Sequence, residues 1–142
     1  MEQIFDLVKN REPFYVDAGR SVLDTVRYMV ARNIGAVAVI ADDQLIGIFS
    51  ERDLMKRVVA PGQDPLQLRV RDVMTADPVV VSPNEKIIDC IRLMRENSFR
   101  HLPVCEGKKL RGLISLRDLI LHDLTAKEGE VQAMRAYINQ AS

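Results

Sequence analysis

Two short motifs carry the side chains best suited to chemistry. The motifs GIFSERDL and GLISLRDL each place an aspartate three residues after a serine, as Ser50 with Asp53 and Ser115 with Asp118. Such a carboxylate can accept hydrogen bonds from two neighbouring hydroxyls, as on a ribose, and a helix N-terminus beside it favours anions. The same spacing is also a capping box, worth about 1 kcal/mol per cap. The motif alone therefore leaves both a binding role and a capping role open.

Basic side chains occur in and near these motifs. Arg100 and His101 stand just before the apolar segment LPVC, and Arg52 and Arg117 lie inside the two motifs. A guanidinium presents a planar fork to a phosphate, and a histidine can add one more hydrogen bond. The alternative for each of them is a solvated side chain at the surface.

The two motifs belong to an internal duplication. Shifting the sequence by 65 positions aligns residues 13–54 with residues 78–119 without a gap, with 12 identities in 42 positions. Many of the other positions exchange one apolar residue for another. Each half therefore predicts the same series of elements: strand, helix, strand, strand, helix.

The repeats divide the chain into three parts. A first repeat is predicted over residues 1–62, a second over 63–125 and a C-terminal helical tail over 126–142. The joint at 60–69, APGQDPLQLR, contains Pro-Gly and Asp-Pro, which interrupt a helix. The tail has apolar residues on one side of a predicted helix, and we expect it to pack on the repeats or on a second copy.

The predicted strands and helix starts follow from alternation and capping signals. Asp17 is the predicted cap of the first long helix. Ser82, Pro83 and Glu85 are predicted to begin the second long helix. The predicted strands are 14–16, 36–40, 45–49, 79–81, 102–105 and 110–114.

Composition narrows the class of protein. The chain has 142 residues and equal numbers of basic and acidic residues, 20 each, so its formal net charge is zero. This balance argues against nucleic acid or an anionic membrane as a partner.

Cys90 and Cys105 lie in apolar patterns and predict buried, reduced thiols. Without a signal-peptide pattern at the start, the expectation is a cytoplasmic protein. His122 has no companion at metal-ligand spacing, so no metal site is expected.

The duplicated pattern resembles the CBS domain family. The most specific pieces are VRDVMTADPVVV at 70–81, FRHLPV at 99–104 and the two Ser-x-x-Asp turns. Two tandem repeats resemble a CBS pair, or Bateman module. The resemblance implies an α/β (α+β) fold of two βαββα repeats related by a pseudo-two-fold axis. It also implies a non-catalytic regulatory module that forms homodimers and binds an adenine nucleotide.

The resemblance further implies two clefts between the repeats, which are not equivalent. AMP is the first candidate ligand, then ATP or ADP, with NAD and S-adenosylmethionine as further alternatives. The cleft expected to bind more tightly contains Ser50, Arg52, Asp53, Thr75, Val79, Val81, Arg100, His101, Leu102 and Pro103. The cleft expected to bind more weakly contains Lys9, Arg11, Gly35, Ala36, Val37, Ser115, Arg117 and Asp118.

Other functions compete with this prediction. A dimerising scaffold with empty clefts would need the caps but not Thr75, Arg100 and His101. An enzyme is disfavoured because the sequence offers no nucleophile–base pair and no glycine-rich phosphate loop. A regulatory module without a catalytic domain of its own is expected to act through a separate target protein.

Overall fold

The structure is a computed structural model that describes residues 2–141. It has the predicted mixed α and β architecture, with two repeats and a C-terminal helix. A π-helical segment, Leu54–Val59, continues helix α3. The elements are α1 (Phe5–Val8), β1 (Tyr15–Asp17), α2 (Val22–Arg32), β2 (Ala36–Ala41), β3 (Gln44–Ser50), α3 (Glu51–Asp53), α4 (Val70–Val73), β4 (Thr75–Ala76), α5 (Ile87–Asn97), β5 (His101–Glu106), β6 (Lys109–Ser115) and α6 (Leu116–Ala141).

Each repeat is built on an antiparallel hairpin. In the first repeat, β2 and β3 form the hairpin, β1 pairs in parallel with β2, and β4 pairs antiparallel with β3. In the second repeat, β5 and β6 form the hairpin. The extended segment predicted at 79–81 contributes a single parallel bridge, between Val81 and Val104. The register shifts after Val39 in one hairpin and after Val104 in the other, which are equivalent positions of the duplication.

The long helices begin later than their predicted caps. Helix α2 begins at Val22, and its N-cap is Ser21, whose hydroxyl accepts from the Asp24 amide at 3.1 Å. Asp17 instead accepts from the Gly19 amide in the preceding turn. Helix α5 begins at Ile87, after a turn in which the Ser82 hydroxyl accepts from the Asn84 amide. Both predicted caps were wrong because the same side chains satisfy short turns just before the helices.

The segment that precedes each repeat packs against the other repeat. Ile4 and Val8 of α1 are buried in the core of the second repeat. Val70 and Val73 of α4 are buried in the core of the first. The Ile4 amide also donates to the Glu85 carbonyl at 2.9 Å. This exchange ties the repeats together and brings residues from both to the same clefts.

Helix α6 is 26 residues long and changes environment along its length. Its first turns pack on the second repeat, where Leu119 is fully buried. The described side chains from residue 127 to residue 140 are exposed. The second half of the helix therefore projects from the repeats. Among the described residues, no helix is long and apolar enough to cross a membrane.

Candidate functional site

Asp53, the acid of the first Ser-x-x-Asp turn, is a buried charged residue. It is 7% exposed, and its Oδ2 accepts from the Ser50 amide at 3.0 Å and from the Ser50 hydroxyl at 3.1 Å. The Asp53 amide donates back to the Ser50 hydroxyl at 3.3 Å, which completes a capping box. The other carboxylate oxygen, Oδ1, accepts from the Thr75 hydroxyl at 3.1 Å. The carboxylate is thus held in one orientation, with both oxygens in hydrogen bonds.

Close backbone approach places Thr75 next to Asp53. A side chain at Gly47 would lie 2.9 Å from the Thr75 carbonyl oxygen, so glycine is what allows β4 to pair with β3 here. Ser50 is the last residue of β3 and has extended backbone angles, which is the usual N-cap conformation. The strand therefore ends where its serine can cap the following helix.

Arg57 contacts both Asp53 and the backbone just before Thr75. Its Nη1 donates to the carbonyl oxygens of Val73, at 3.2 Å, and of Met74. Its Nε lies 3.9 Å from Asp53 Oδ1, which is a long ion pair. The sequence prediction did not include Arg57. Its spacing of four residues from Asp53 on a helix was the available signal.

A cavity of about 590 Å³ opens beside Asp53 and Thr75, and both repeats line it. Seven of the ten residues predicted for the tighter cleft lie on its wall: Ser50, Arg52, Asp53, Thr75, Val79, Arg100 and His101. Six further residues on the wall belong to neither predicted cleft: Ile48, Glu51, Asp77, Pro78, Ser98 and Phe99. Each of these lies within two residues of a predicted one or on the adjoining strand β3.

The remaining residues predicted for this cleft lie elsewhere. Val81 and Leu102 are in the core of the second repeat, and Pro103 is buried on β5. Gly35, predicted for the weaker cleft, lines this cavity. Its carbonyl accepts from the Glu51 amide at 3.0 Å, which brings the two residues together at one wall. On β5, His101 lines the cavity while Leu102 lies in the core, because successive residues of a strand point to opposite faces.

Charge in the cavity is mixed. Arg52 and Arg100 face a region that also contains the carboxylates of Glu51, Asp53 and Asp77. Burial lowers the pKa of His101 below its usual value, and Arg100 lowers it further, while Asp118 and Glu51 act in the opposite direction. His101 is therefore neutral at pH 7, with one ring nitrogen available as a donor and one as an acceptor.

The second Ser-x-x-Asp turn is similar in its cap but differs in its surroundings. Asp118 Oδ2 accepts from the Ser115 amide, and the Asp118 amide donates to the Ser115 hydroxyl, both at 3.0 Å. The same oxygen lies 3.4 Å from Arg11 Nη1, where Asp53 has Thr75 instead. The Asp118 side chain is 32% exposed, against 10% for Asp53. The second carboxylate is thus more open and already paired with a cation.

The structure places the other residues predicted for the weaker cleft in different surroundings. Ala36 and Val37 are buried, Val37 in the core of the first repeat. Lys9 lies 3.8 Å from Asp6 in a surface ion pair, and Arg117 is exposed. Among residues 2–141, no group of three or more histidine, cysteine or acidic side chains is placed to hold a metal ion.

The duplication, the exchanged helices and the paired Ser-x-x-Asp turns together define a known architecture. The sequence pattern of the CBS domain matches residues 4–60 and again residues 70–124. The chain belongs to the CBS domain family. The predicted family is thereby confirmed, and the two repeats form a CBS pair.

Relatives of known sequence or structure agree with this assignment. CBSX3, a mitochondrial CBS domain-containing protein of Arabidopsis thaliana, is 31% identical over 123 residues, which cover 83% of this chain and 60% of that protein. The CBS-domain containing protein ATU1752 of Agrobacterium tumefaciens is 34% identical, with a TM-score of 0.78 over 86% of this chain and 99% of that one. CBSX2, solved in complex with AMP, is 26% identical, with a TM-score of 0.76 over 89% and 99% of the two chains. The chain spans 36% and 21% of the lengths of two further curated relatives.

Proposed function

We propose that this CBS pair is a regulatory module that binds an adenine nucleotide, with AMP as the first candidate, in the cavity beside Asp53. The observation that carries the proposal is the buried Asp53 carboxylate, held by Ser50 and Thr75 at one end of a 590 Å³ cavity with Arg100 and His101 on its wall. That volume is in the range of small-molecule sites. The AMP complex of CBSX2, a relative of the same fold, supports the choice of ligand.

The ribose end of the nucleotide is assigned to Asp53. A carboxylate oxygen has two acceptor positions, so Oδ1 can accept from a ribose hydroxyl while it keeps its hydrogen bond from Thr75. Hydrogen bonds to a charged group contribute about 1.5–3 kcal/mol each, more than those between neutral groups. Asp53 therefore recognises a neutral diol, and its fixed orientation lowers the entropic cost of binding.

The phosphate end is assigned to Arg100, Arg52 and His101. Two guanidinium groups can pair with a phosphate through forked hydrogen bonds, and neutral His101 can donate one more. The acids Glu51 and Asp77 on the same wall disfavour additional negative charge nearby. This mixed charge favours AMP over ADP and ATP.

The base is assigned to the apolar part of the wall. Ile48, Pro78 and Val79 line the cavity, and Val79 is 46% exposed. An exposed valine and a proline next to a polar cleft provide a surface on which a flat base can lie. The same surface accepts the adenine of NAD or S-adenosylmethionine, so these remain the competing ligands.

Ligand binding would act on the contact between the two repeats. Asp53 belongs to the first repeat and Arg100 to the second, so a ligand held by both favours one relative arrangement. At a concentration 100 times its Kd, a ligand stabilises the folded state by about 2.7 kcal/mol. We propose that a target protein recognises this stabilised arrangement.

Calorimetric titration with AMP, ADP, ATP, NAD and S-adenosylmethionine tests the proposal. The expected result is saturable binding of AMP with the lowest Kd of the five. Tighter binding of NAD or S-adenosylmethionine would reject AMP as the ligand. If none of the five binds, the nucleotide-binding function is wrong and a ligand-free dimerising scaffold replaces it.

A further inference from the structure

Helix α6 has an exposed apolar face that begins in its first half and continues along the half that projects from the repeats. We call this face the apolar seam; its residues are Ile120, Leu124, Val131, Met134 and Ile138, each between 44% and 64% exposed. Leu119 packs against the second repeat instead. At 100° per residue, Leu119 points about 100° away from Ile120 around the helix. The seam is therefore a separate face of the helix, which the repeats leave uncovered.

The seam follows the spacing of a coiled coil. Its residues are separated by four, seven, three and four positions, whereas the a and d positions of a heptad alternate by three and four. The interval of seven, from Leu124 to Val131, contains one further heptad position, which Lys127 occupies. The six positions lie within about 80° of the helix circumference and extend about 27 Å along the axis. The Lys127 ammonium lies 3.1 Å from Asp123 on the same helix, so its aliphatic part can cover the seam while its charge stays paired.

Two charged residues on one flank of the seam are complementary to each other. Glu128 and Arg135 are seven residues apart and both occupy the e position of the heptad. In an antiparallel pair with Val131 opposite Met134 of the second copy, Glu128 lies beside Arg135 of the second copy. Two-fold symmetry repeats this ion pair on the other half of the contact.

Charge disfavours the other arrangements of the same seam. A parallel pair sets Lys127 against Lys127 of the second copy and Asp123 beside Glu128 of the second copy. An antiparallel pair shifted by one heptad, with Ile120 opposite Ile138, sets Glu128 against Glu128 and Glu130 against Glu130. Like charges in these positions cost free energy. A membrane is also disfavoured, because the helix carries more acids than lysines and arginines.

We infer that α6 pairs with α6 of a second copy of this chain, as an antiparallel two-helix contact in which Val131 faces Met134. The overlap extends from Leu124 to the end of the helix and covers the part that projects from the repeats. The contact is separate from the nucleotide cavity and does not depend on the proposed function. It gives the CBS pair a self-association surface on its C-terminal helix.

Disulfide trapping tests both the contact and its register. The double variant Val131→Cys/Met134→Cys is oxidised under mild conditions without nucleotide, and the products are separated by non-reducing electrophoresis. A covalent dimer is expected as the main product. The two single variants and the native chain are the controls. In each single variant the new cysteine faces a residue of the second copy that is not a cysteine, and in the native chain Cys90 and Cys105 are buried. None of the three controls is expected to form a covalent dimer.

Two results overturn the inference. One is no covalent dimer from the double variant. The other is an equal dimer yield from either single variant, which indicates a parallel contact or random collision. All substituted positions are exposed, so folding is expected to be unaffected.

Charge reversal gives an independent test. Glu128→Arg and Arg135→Glu each replace two attractions by two repulsions, so either variant alone should self-associate roughly tenfold more weakly than the native chain. An equimolar mixture of the two variants restores both ion pairs and should associate like the native chain, as measured by sedimentation. Glu130→Arg is the matched control and should change little. Failure of the mixture to recover association would contradict the antiparallel register.

Discussion

The Thr75 hydroxyl donates a hydrogen bond to Asp53 Oδ1 at 3.1 Å, which joins the segment between the repeats to the first Ser-x-x-Asp turn. The equivalent contact at the second turn is an ion pair, from Arg11 to Asp118 at 3.4 Å. Asp53 combines this neutral donor with a longer ion pair to Arg57, at 3.9 Å, whereas the outer partner of Asp118 is the cation Arg11 itself. This difference makes the two clefts chemically unequal, although their caps are the same.

Thr75→Val is expected to lower the free energy of unfolding by about 1 kcal/mol, because it removes the hydrogen bond to a buried carboxylate without changing the size of the side chain. Urea unfolding measures the loss. Thr75→Ser keeps a hydroxyl at the same position and should retain most of the stability. A loss of the same size in the serine variant would show that packing of the methyl group, and not the hydrogen bond, is responsible.

Asp53→Ala is expected to weaken AMP binding by roughly ten- to a hundredfold, because charge-assisted hydrogen bonds to the ribose are lost. Asp118→Ala removes a similar cap from the other repeat and should leave the tighter binding event nearly unchanged. Calorimetric titration of both variants distinguishes the roles. Equal losses in the two variants would contradict the predicted inequality of the clefts.

Arg11→Ala is expected to strengthen binding at the second cleft, because it releases Asp118 from its ion pair and leaves the carboxylate free to accept from a ribose. A second binding event should appear or tighten in the titration, while the first stays the same. Lys9→Ala is the matched control, since Lys9 pairs with Asp6 and not with Asp118. Unchanged second-site binding in Arg11→Ala would show that the ion pair does not compete with the ligand.

Acidification is expected to destabilise the protein through His101. The folded state lowers the pKa of His101, chiefly by burial, so the unfolded chain binds the proton more readily. The contribution of His101 is therefore fully present above the unfolded value near 6.5 and is lost as the pH falls through that value toward the folded pKa.

Chemical unfolding of the native chain and of His101→Gln at pH 7.5 and pH 5.5 measures this effect. The difference in stability between the two pH values should be smaller in the variant. The same pH dependence in both proteins would assign it to other groups.

Cys90 is expected to react very slowly with thiol reagents in the folded protein. Burial raises its pKa to about 11, from an ordinary value of 9.0, with smaller contributions from Glu85 and Asp89. The thiolate fraction near pH 8 is thereby reduced by roughly a hundredfold. In a Cys105→Ala variant, labelling of Cys90 should become fast only on unfolding, and rapid labelling of the native protein would contradict the burial.

The repeats and the two caps could be predicted from the sequence because their causes are local. The Ser50–Asp53 and Ser115–Asp118 turns depend on residues three positions apart, and the strands depend on alternation over a few residues. The duplication then indicated the family and which residues could share a cleft. The two long-helix caps were predicted wrongly because Asp17 and Ser82 each accept a hydrogen bond from the amide two residues later and so form a short turn before the helix.

The tertiary structure decided how the two repeats exchange their leading segments. Burial of α1 in the second repeat and of α4 in the first is a contact between residues about 80 and 50 positions apart, which no local pattern encodes. That exchange places Thr75 on Asp53 and Arg11 on Asp118. Gly35 reaches the same cavity within the first repeat, through the hydrogen bond that its carbonyl accepts from the Glu51 amide.

The sequence by itself determined two similar turns, and the docking of the repeats made them different. Asp53 and Asp118 are each capped by a serine three residues earlier in the sequence. Their other partners, Thr75 and Arg11, come from segments that pack against the opposite repeat. Side-chain direction on β5 then places His101 on the wall of the cavity and Leu102 in the core. Whether a side chain faces the cavity or the core depends on three-dimensional packing, since burial is a property of the assembled fold and not of the residue type.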